Sequence, residues 1–227
     1  MIEDFTTYEK YDPNSRIEVT PSRVTWTDLQ LNEDARVSFD KGEAHFNGDF
    51  EHLLTVKMTG GTSDAKSFCW ALTNVVDDMY SIRIGGGSYL GLFFYKSPTA
   101  THELYLEECD NGERHQSNFV GALNTVYYLK IVRDESFGTY GKLSCFIYSD
   151  AARTNLLNTI YMSLRTSKKD FQHIFGVNSY NAAVGGYQTS GYSENLDLSE
   201  EAPPPEAPEE AMGKVRGLDF RGKGFRP

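Results

Sequence analysis

Cysteine is scarce in this chain, proline is almost missing from its first two hundred residues, and long apolar runs do not occur. The three cysteines, Cys69, Cys109 and Cys145, are odd in number and widely spaced. They form neither a disulfide framework nor a CxxC metal knuckle. Two of them sit in the strand-like runs "SFCWAL" and "KLSCFIY", where a reduced thiol packs as a small hydrophobe. Such a chain is expected to be made in a reducing cytoplasm. The start, "MIEDFTTYEKYD", has no basic n-region and no apolar h-region, so no secretory signal is read there. No stretch approaches the roughly 20 apolar residues that cross a bilayer, so no membrane partner is expected.

Positive charge is also short. Lysine and arginine number 22 against 32 acids, for a formal net charge of −10, which argues against a nucleic-acid surface across the body. The catalytic signatures are missing too. There is no G-x-S-x-G elbow and no HExxH, and the "GGG" at 85–87 lacks the Lys-Ser/Thr of a phosphate loop. The histidines, His45, His52, His102, His115 and His173, are not spaced as a metal pair on one strand or helix.

What the chain does have is aromatic and β-branched residues in short alternating runs. Aromatics make up 13% of its 227 residues, mostly Tyr and Phe, which suits half-buried pleated surfaces. In "SRIEVT" and "SRVTWT", Ile17 and Val19, then Val24 and Trp26, fall on one face. Strands are also expected at "DFEHLLTVKMT", "SFCWALTNV", "MYSIRI", "SYLGLFFY", "HELYLEE", "TVYYLKIVR", "KLSCFIYS", "NTIYMSL", "HIFGVNSY" and "SGYSENLDL". Gly/Asn/Asp-rich turns such as "TGGTSDAK" and "ECDNGER" separate them. A single helical turn is expected in "SDAARTNLLN". So many strands, with turns about every ten residues, predict an all-β, two-sheet antiparallel sandwich over residues 1–198.

The stretch "LNTVYYLKIVRDESFGTYGKLSCFIYSDAARTNLLNTI" carries a strand of the form Y-x-L-x-I-x-R, a loop, and a strand ending in a "YSD" turn. This order resembles concanavalin A-like lectin/glucanase domains, the laminin-G-like jelly rolls. "SGYSENLDL" resembles their closing strand, which returns beside the N-terminal one. The opening "DPNSRIEVTPSRVTWTDLQLNEDARVSFDKG" and "FNGDFEHLLTV" resemble their first strands. The resemblance covers about residues 4–198, and extends to uncharacterised domains of this type in phage and environmental virus proteins. It implies a jelly-roll fold and, among its activities, sugar binding or glycoside hydrolysis.

Hydrolases of this fold carry E-x-D-x-E on one strand, because alternate residues share a face. Here "ELYLE" puts Glu103, Tyr105 and Glu107 on one face, with Tyr where the middle acid would stand. Without that acid nothing drives the two outer carboxyls to different pKa values, so a non-enzyme is expected. A pyranose stacks its C–H face on an aromatic ring, and Trp70, Tyr80, Tyr89 and Tyr95 are the candidate platform. No cofactor is required. Calcium is the ion that rim loops of such sandwiches take, with Asn74, Asp77 and Asp78 the first candidates and Asp110 and Asn111 the second.

Five of the eight prolines fall after residue 202. Residues 199–212 read as an extended, self-repelling Glu/Pro linker. Residues 213–227 form a basic Gly/Phe peptide with Lys214, Arg216, Phe220, Arg221, Lys223, Phe225 and Arg226. It is expected to anchor the body to a protein partner by filling pockets with Phe and pairing Arg with carboxylates. The combined expectation is a non-enzymatic, lectin-like domain displayed on a virion or other assembly, as a capsid decoration or receptor-binding accessory, with a cell-surface glycan or a further copy of itself as other partners. A free carbohydrate-binding module and a divergent glycoside hydrolase are the alternatives.

Overall fold

The computed structural model describes residues 2–99, 101–165 and 169–199. Within them the chain forms a 3-10 turn (Phe5–Thr7), fourteen strands and one helix. The strands are β1 (Glu9–Tyr11), β2 (Ile17–Thr20), β3 (Arg23–Gln30), β4 (Arg36–Asp40), β5 (Phe50–Gly61), β6 (Lys66–Thr73) and β7 (Tyr89–Lys96). They continue with β8 (His102–Asp110), β9 (Glu113–Gly121), β10 (Val126–Asp134), β11 (Lys142–Tyr148), β12 (Leu156–Ser163), β13 (His173–Asn178) and β14 (Gln188–Asp197). The helix, α1, spans Met79–Ile84. A front sheet has the order β1-β4-β13-β6-β7-β8-β9, and a back sheet the order β12-β11-β10-β5-β14-β3-β2. All neighbours are antiparallel, giving the expected jelly-roll sandwich.

Alternation along each strand builds the core between the sheets. On β10, Tyr127, Leu129, Ile131 and Arg133 are buried while the intervening residues are half-exposed. The first three meet Leu90, Leu92 and Phe94 of β7 and Leu104 and Leu106 of β8 in one apolar cluster with Trp26, Leu54 and Val56. Each such side chain taken fully from water contributes about 1.5–3 kcal/mol. Arg133, last in the Y-x-L-x-I-x-R run, is fully buried. It donates from Nη1 to the carbonyls of Phe46 (3.0 Å) and Lys169, and pairs through Nη2 with Glu135. Nearby, Lys169 Nζ lies 2.9 Å from Glu108 Oε1 and 3.1 Å from Asp110 Oδ1, so one buried ammonium bridges two buried carboxylates.

Three local expectations are corrected. "MYSIRI" is helix α1, because Asp78 caps it through a carboxylate oxygen that accepts from the N–H groups of Tyr80 and Ser81. Met79 and Ile82, three apart, are then buried together. "SDAARTNLLN" holds no helix, since Asp150 draws the N–H groups of Thr154 and Asn155 onto its carboxylate and tightens a turn. Strand β9, "ERHQSNFVG", was not expected, being polar on both faces at the sheet edge. The closing strand β14 lies between β5 and β3, and Ile2 forms a β-bridge with Asp197. The linker beyond Ser199 and the tail residues Lys214, Arg216, Phe220, Arg221, Lys223, Phe225 and Arg226 lie outside the described residues.

Candidate functional site

Strand β7 is covered on both faces. Leu90, Leu92 and Phe94 enter the core between the sheets, so Tyr89, Gly91, Phe93 and Tyr95 point to the outer face of the front sheet. There a second apolar cluster forms with Phe68, Cys109 and Phe175, roofed by Met79 and Ile82 of α1 and by Tyr180. Gly91 is required at this crossing, because a Cβ there would lie 2.5 Å from the Phe68 ring. The roof stops short of the far end of the sheet. Beyond it opens a cleft of about 280 Å³ lined by Lys66, Phe93, Tyr95, Tyr105, Arg114 and Gln116, drawn from β6, β7, β8 and β9.

The cleft has an aromatic floor. The rings of Phe93 and Tyr105 stack in near-parallel planes at 5.0 Å, and Tyr95 meets Tyr105 edge-on at 5.7 Å. Lys66 stands between this floor and the roof, its Nζ 5.7 Å from the centre of the Phe93 ring and 3.7 Å from that of Tyr180. Behind it, outside the cleft lining, the Arg83 guanidinium lies over the rings of Tyr80 (5.0 Å) and Tyr180 (5.8 Å). Burial, reinforced by Arg114 and Arg83, pushes the Lys66 amine down to about 8 against the opposing pull of Glu107. Burial, with the hydrogen bonds to Asp64 and Glu103 respectively, pushes the Tyr95 and Tyr105 hydroxyls up to about 12. None of the six lining residues is a carboxylate.

Glu107 lies beneath the cleft, fully buried. Tyr89 donates its hydroxyl to Oε1 and Gln116 donates its amide Nε2 to Oε2, while Arg114 Nη1 stands 3.9 Å from Oε2. Glu103 shares the face but is engaged by Thr101 (2.6 Å), Asn118 (3.1 Å) and Tyr105. The two glutamates of "ELYLE" therefore flank Tyr105 as the alternation required, and neither lines the cleft.

The four candidate sugar-stacking residues separate. Tyr95 lines the cleft. Tyr89 is fully buried behind it on Glu107, and Tyr80 is half-buried on α1 against Tyr180. Trp70 is corrected: a bulge between Phe68 and Trp70 turns both Cys69 and Trp70 into the core between the sheets. There the indole donates to His52 Nδ1 at 3.3 Å, so Trp70 offers no platform. The calcium candidates are also engaged elsewhere. Asp78 Oδ1 accepts from the N–H groups of Tyr80, Ser81 and Asn181, Asp77 from that of Asp78, and Asn74 donates to the Asp170 carbonyl. Asp110 holds Lys169. Among the described residues no three His, Cys, Asp or Glu side chains are grouped to hold a metal ion.

Lys66, Phe93, Arg114 and Gln116 were not singled out in the sequence. Lys66 looked like the end of the turn "TGGTSDAK", and Arg114 and Gln116 belong to the strand that polarity concealed. The signal that would have found them is a polar edge strand paired with "HELYLEE", which places Gln116 opposite Glu107 and Arg114 opposite Cys109.

No family model and no curated protein sequence matches the chain. Solved structures do. Alginate lyase Aly36B superposes with a TM-score of 0.53 at 11% identity, over 85% of this chain and 86% of that one. A legume lectin-like domain from Entamoeba histolytica gives 0.51 at 13% identity, over 83% and 87%. The chain has a concanavalin A-like fold. A protein of unknown function from Shewanella oneidensis MR-1 is similar to it as well, with a TM-score of 0.51 at 12% identity over 83% and 75%. A lectin-like domain and a lyase thus share this concanavalin A-like architecture.

Proposed function

We propose that the protein binds an acidic saccharide in the front-sheet cleft. One observation carries the reading: in a chain of net charge −10, the cleft is lined by two cations, three aromatic rings and an amide, and by no carboxylate. Stacked rings suit the apolar face of a pyranose, and an ammonium and a guanidinium suit its carboxylate. An alginate lyase of this fold, one form of it holding alginate trisaccharide, supports the same ligand class. Calorimetric titration with an oligouronate should give saturable heat, weakened at least tenfold by Lys66→Met or Arg114→Ala, while a neutral oligosaccharide of equal length gives none. A flat oligouronate titration of the intact protein overturns the reading.

A second reading is β-eliminative cleavage of the bound chain, favoured by the lowered basicity of Lys66 beside two tyrosines. The Lys66 amine would take the proton on the carbon bearing the carboxylate, a carbon–carbon double bond would form, and the glycosidic C–O bond would break. The departing oxygen would take a proton from the Tyr95 or Tyr105 hydroxyl, kept protonated by its raised pKa. Unsaturated ends accumulating in ultraviolet absorbance would establish this reading. Binding without such product leaves the protein a lectin.

Display on a virion or other assembly through residues 213–227 is a separate proposal. Deleting 200–227 should abolish co-assembly with the partner while oligouronate binding persists.

A further inference from the structure

We infer that Glu107 is a positioning residue that sets the selectivity of the cleft, tuning it to a sugar with one carboxylate flanked by a free hydroxyl rather than to a densely sulfated glycan. This rests on the acidic-saccharide reading and narrows it. Glu107 accepts hydrogen bonds on both oxygens, from Tyr89 and from the Gln116 amide nitrogen. With Nε2 committed to a buried carboxylate, the network fixes which way the Gln116 amide points. Its carbonyl oxygen is the end left for the cleft, where it accepts from a hydroxyl and repels a second anionic group. The same carboxylate stands 3.9 Å from Arg114 Nη1 and acts on Lys66, so it offsets part of the positive charge above it. Lys66 has no hydrogen-bond acceptor or ion-pair partner among the described residues; its ammonium rests on the Tyr180 ring. The cleft therefore presents a cationic pair and an adjacent acceptor, with a fixed negative charge limiting how much anion it takes.

The test compares an oligouronate with a sulfated oligosaccharide of the same length, each titrated into the full-length protein. The intact protein should prefer the oligouronate. In Glu107→Gln the new side chain keeps an acceptor for Tyr89 but turns an NH2 toward Gln116, whose own amide then reverses and offers a donor to the cleft. Preference for the oligouronate should fall at least tenfold, chiefly because the sulfated chain binds more tightly. A merely structural role would weaken both ligands together. Gln116→Met, on the exposed edge strand, removes the amide but keeps the carboxylate, which retains the Tyr89 hydroxyl as a donor, and should weaken the oligouronate about tenfold while leaving the sulfated chain within twofold. Unchanged preference in a folded Glu107→Gln, or equal loss of both ligands in Gln116→Met, overturns the inference while leaving the binding reading intact. Failure of the intact protein to bind the oligouronate overturns the binding reading itself.

Discussion

Lys66 has the property on which the two readings of the cleft part. Its amine titrates at about 8 under burial, the repulsion of Arg114 and Arg83 and the attraction of Glu107, with the Tyr180 ring against it. Raising the pH through that value removes a cation from the lining. Oligouronate affinity should therefore fall between about pH 7 and pH 9, whereas an eliminative rate that needs the neutral amine should rise over the same range. Lys66→Arg, charged throughout, should flatten the affinity profile. His52 gives a second titration. Burial, with His45 and Lys41, pushes its imidazole from 6.5 down to about 3, so the folded state holds it neutral while the unfolded chain protonates it. The stability this contributes is complete above about pH 6.5 and is lost as the pH falls toward 3. Denaturant midpoints measured at neutral and mildly acidic pH should drop, and less steeply in His52→Gln.

At the scale of elements, α1 and β9 decide whether the cleft exists. The helix is only six residues long and depends on Asp78, whose single Oδ1 receives three N–H groups, two from α1 and one from Asn181 of the loop beside it. Asp78→Ala should cost about 1–2 kcal/mol, lowering the melting temperature by about 4 °C for a domain of this size. It should also weaken oligouronate binding, because Tyr180 and Arg83 sit on the elements it ties together. These two elements were also the least legible in the sequence. "MYSIRI" alternates as a strand would, and only the cap before it and the Gly85 after it mark a helix. Strand β9 has no apolar stripe, because one of its faces meets solvent and the other lies at the edge of the core. The strands that pack on both sides, such as "SYLGLFFY" and "TVYYLKIVR", were evident from their apolar density. Trp70 shows the limit of counting by twos: one bulge reverses the face of every residue after it.

For the whole molecule, the core between the sheets and the outer cleft are separable. Leu129 lies at the centre of β10, fully buried and far in the sandwich from the front-sheet surface. Leu129→Ala should destabilise the fold by about 2–5 kcal/mol. The oligouronate dissociation constant of the molecules that remain folded should be unaltered. The sandwich as a class was readable from alternation and turn spacing because a two-sheet core demands both. The ligand was not readable, because Lys66, Arg114 and Gln116 are brought together only by the pairing of β6, β7, β8 and β9.

The bridge between Ile2 and Asp197 brings the two ends of the described body side by side. A domain whose entry and exit touch can be spliced into a surface loop of another protein without prying that host apart. For the same reason it can be circularly permuted, with a short tether joining the old ends and new ones opened at the Gly138 turn between β10 and β11. A permutant that still folds and still binds the oligouronate would show that the order in which the strands are synthesised is immaterial to the cleft.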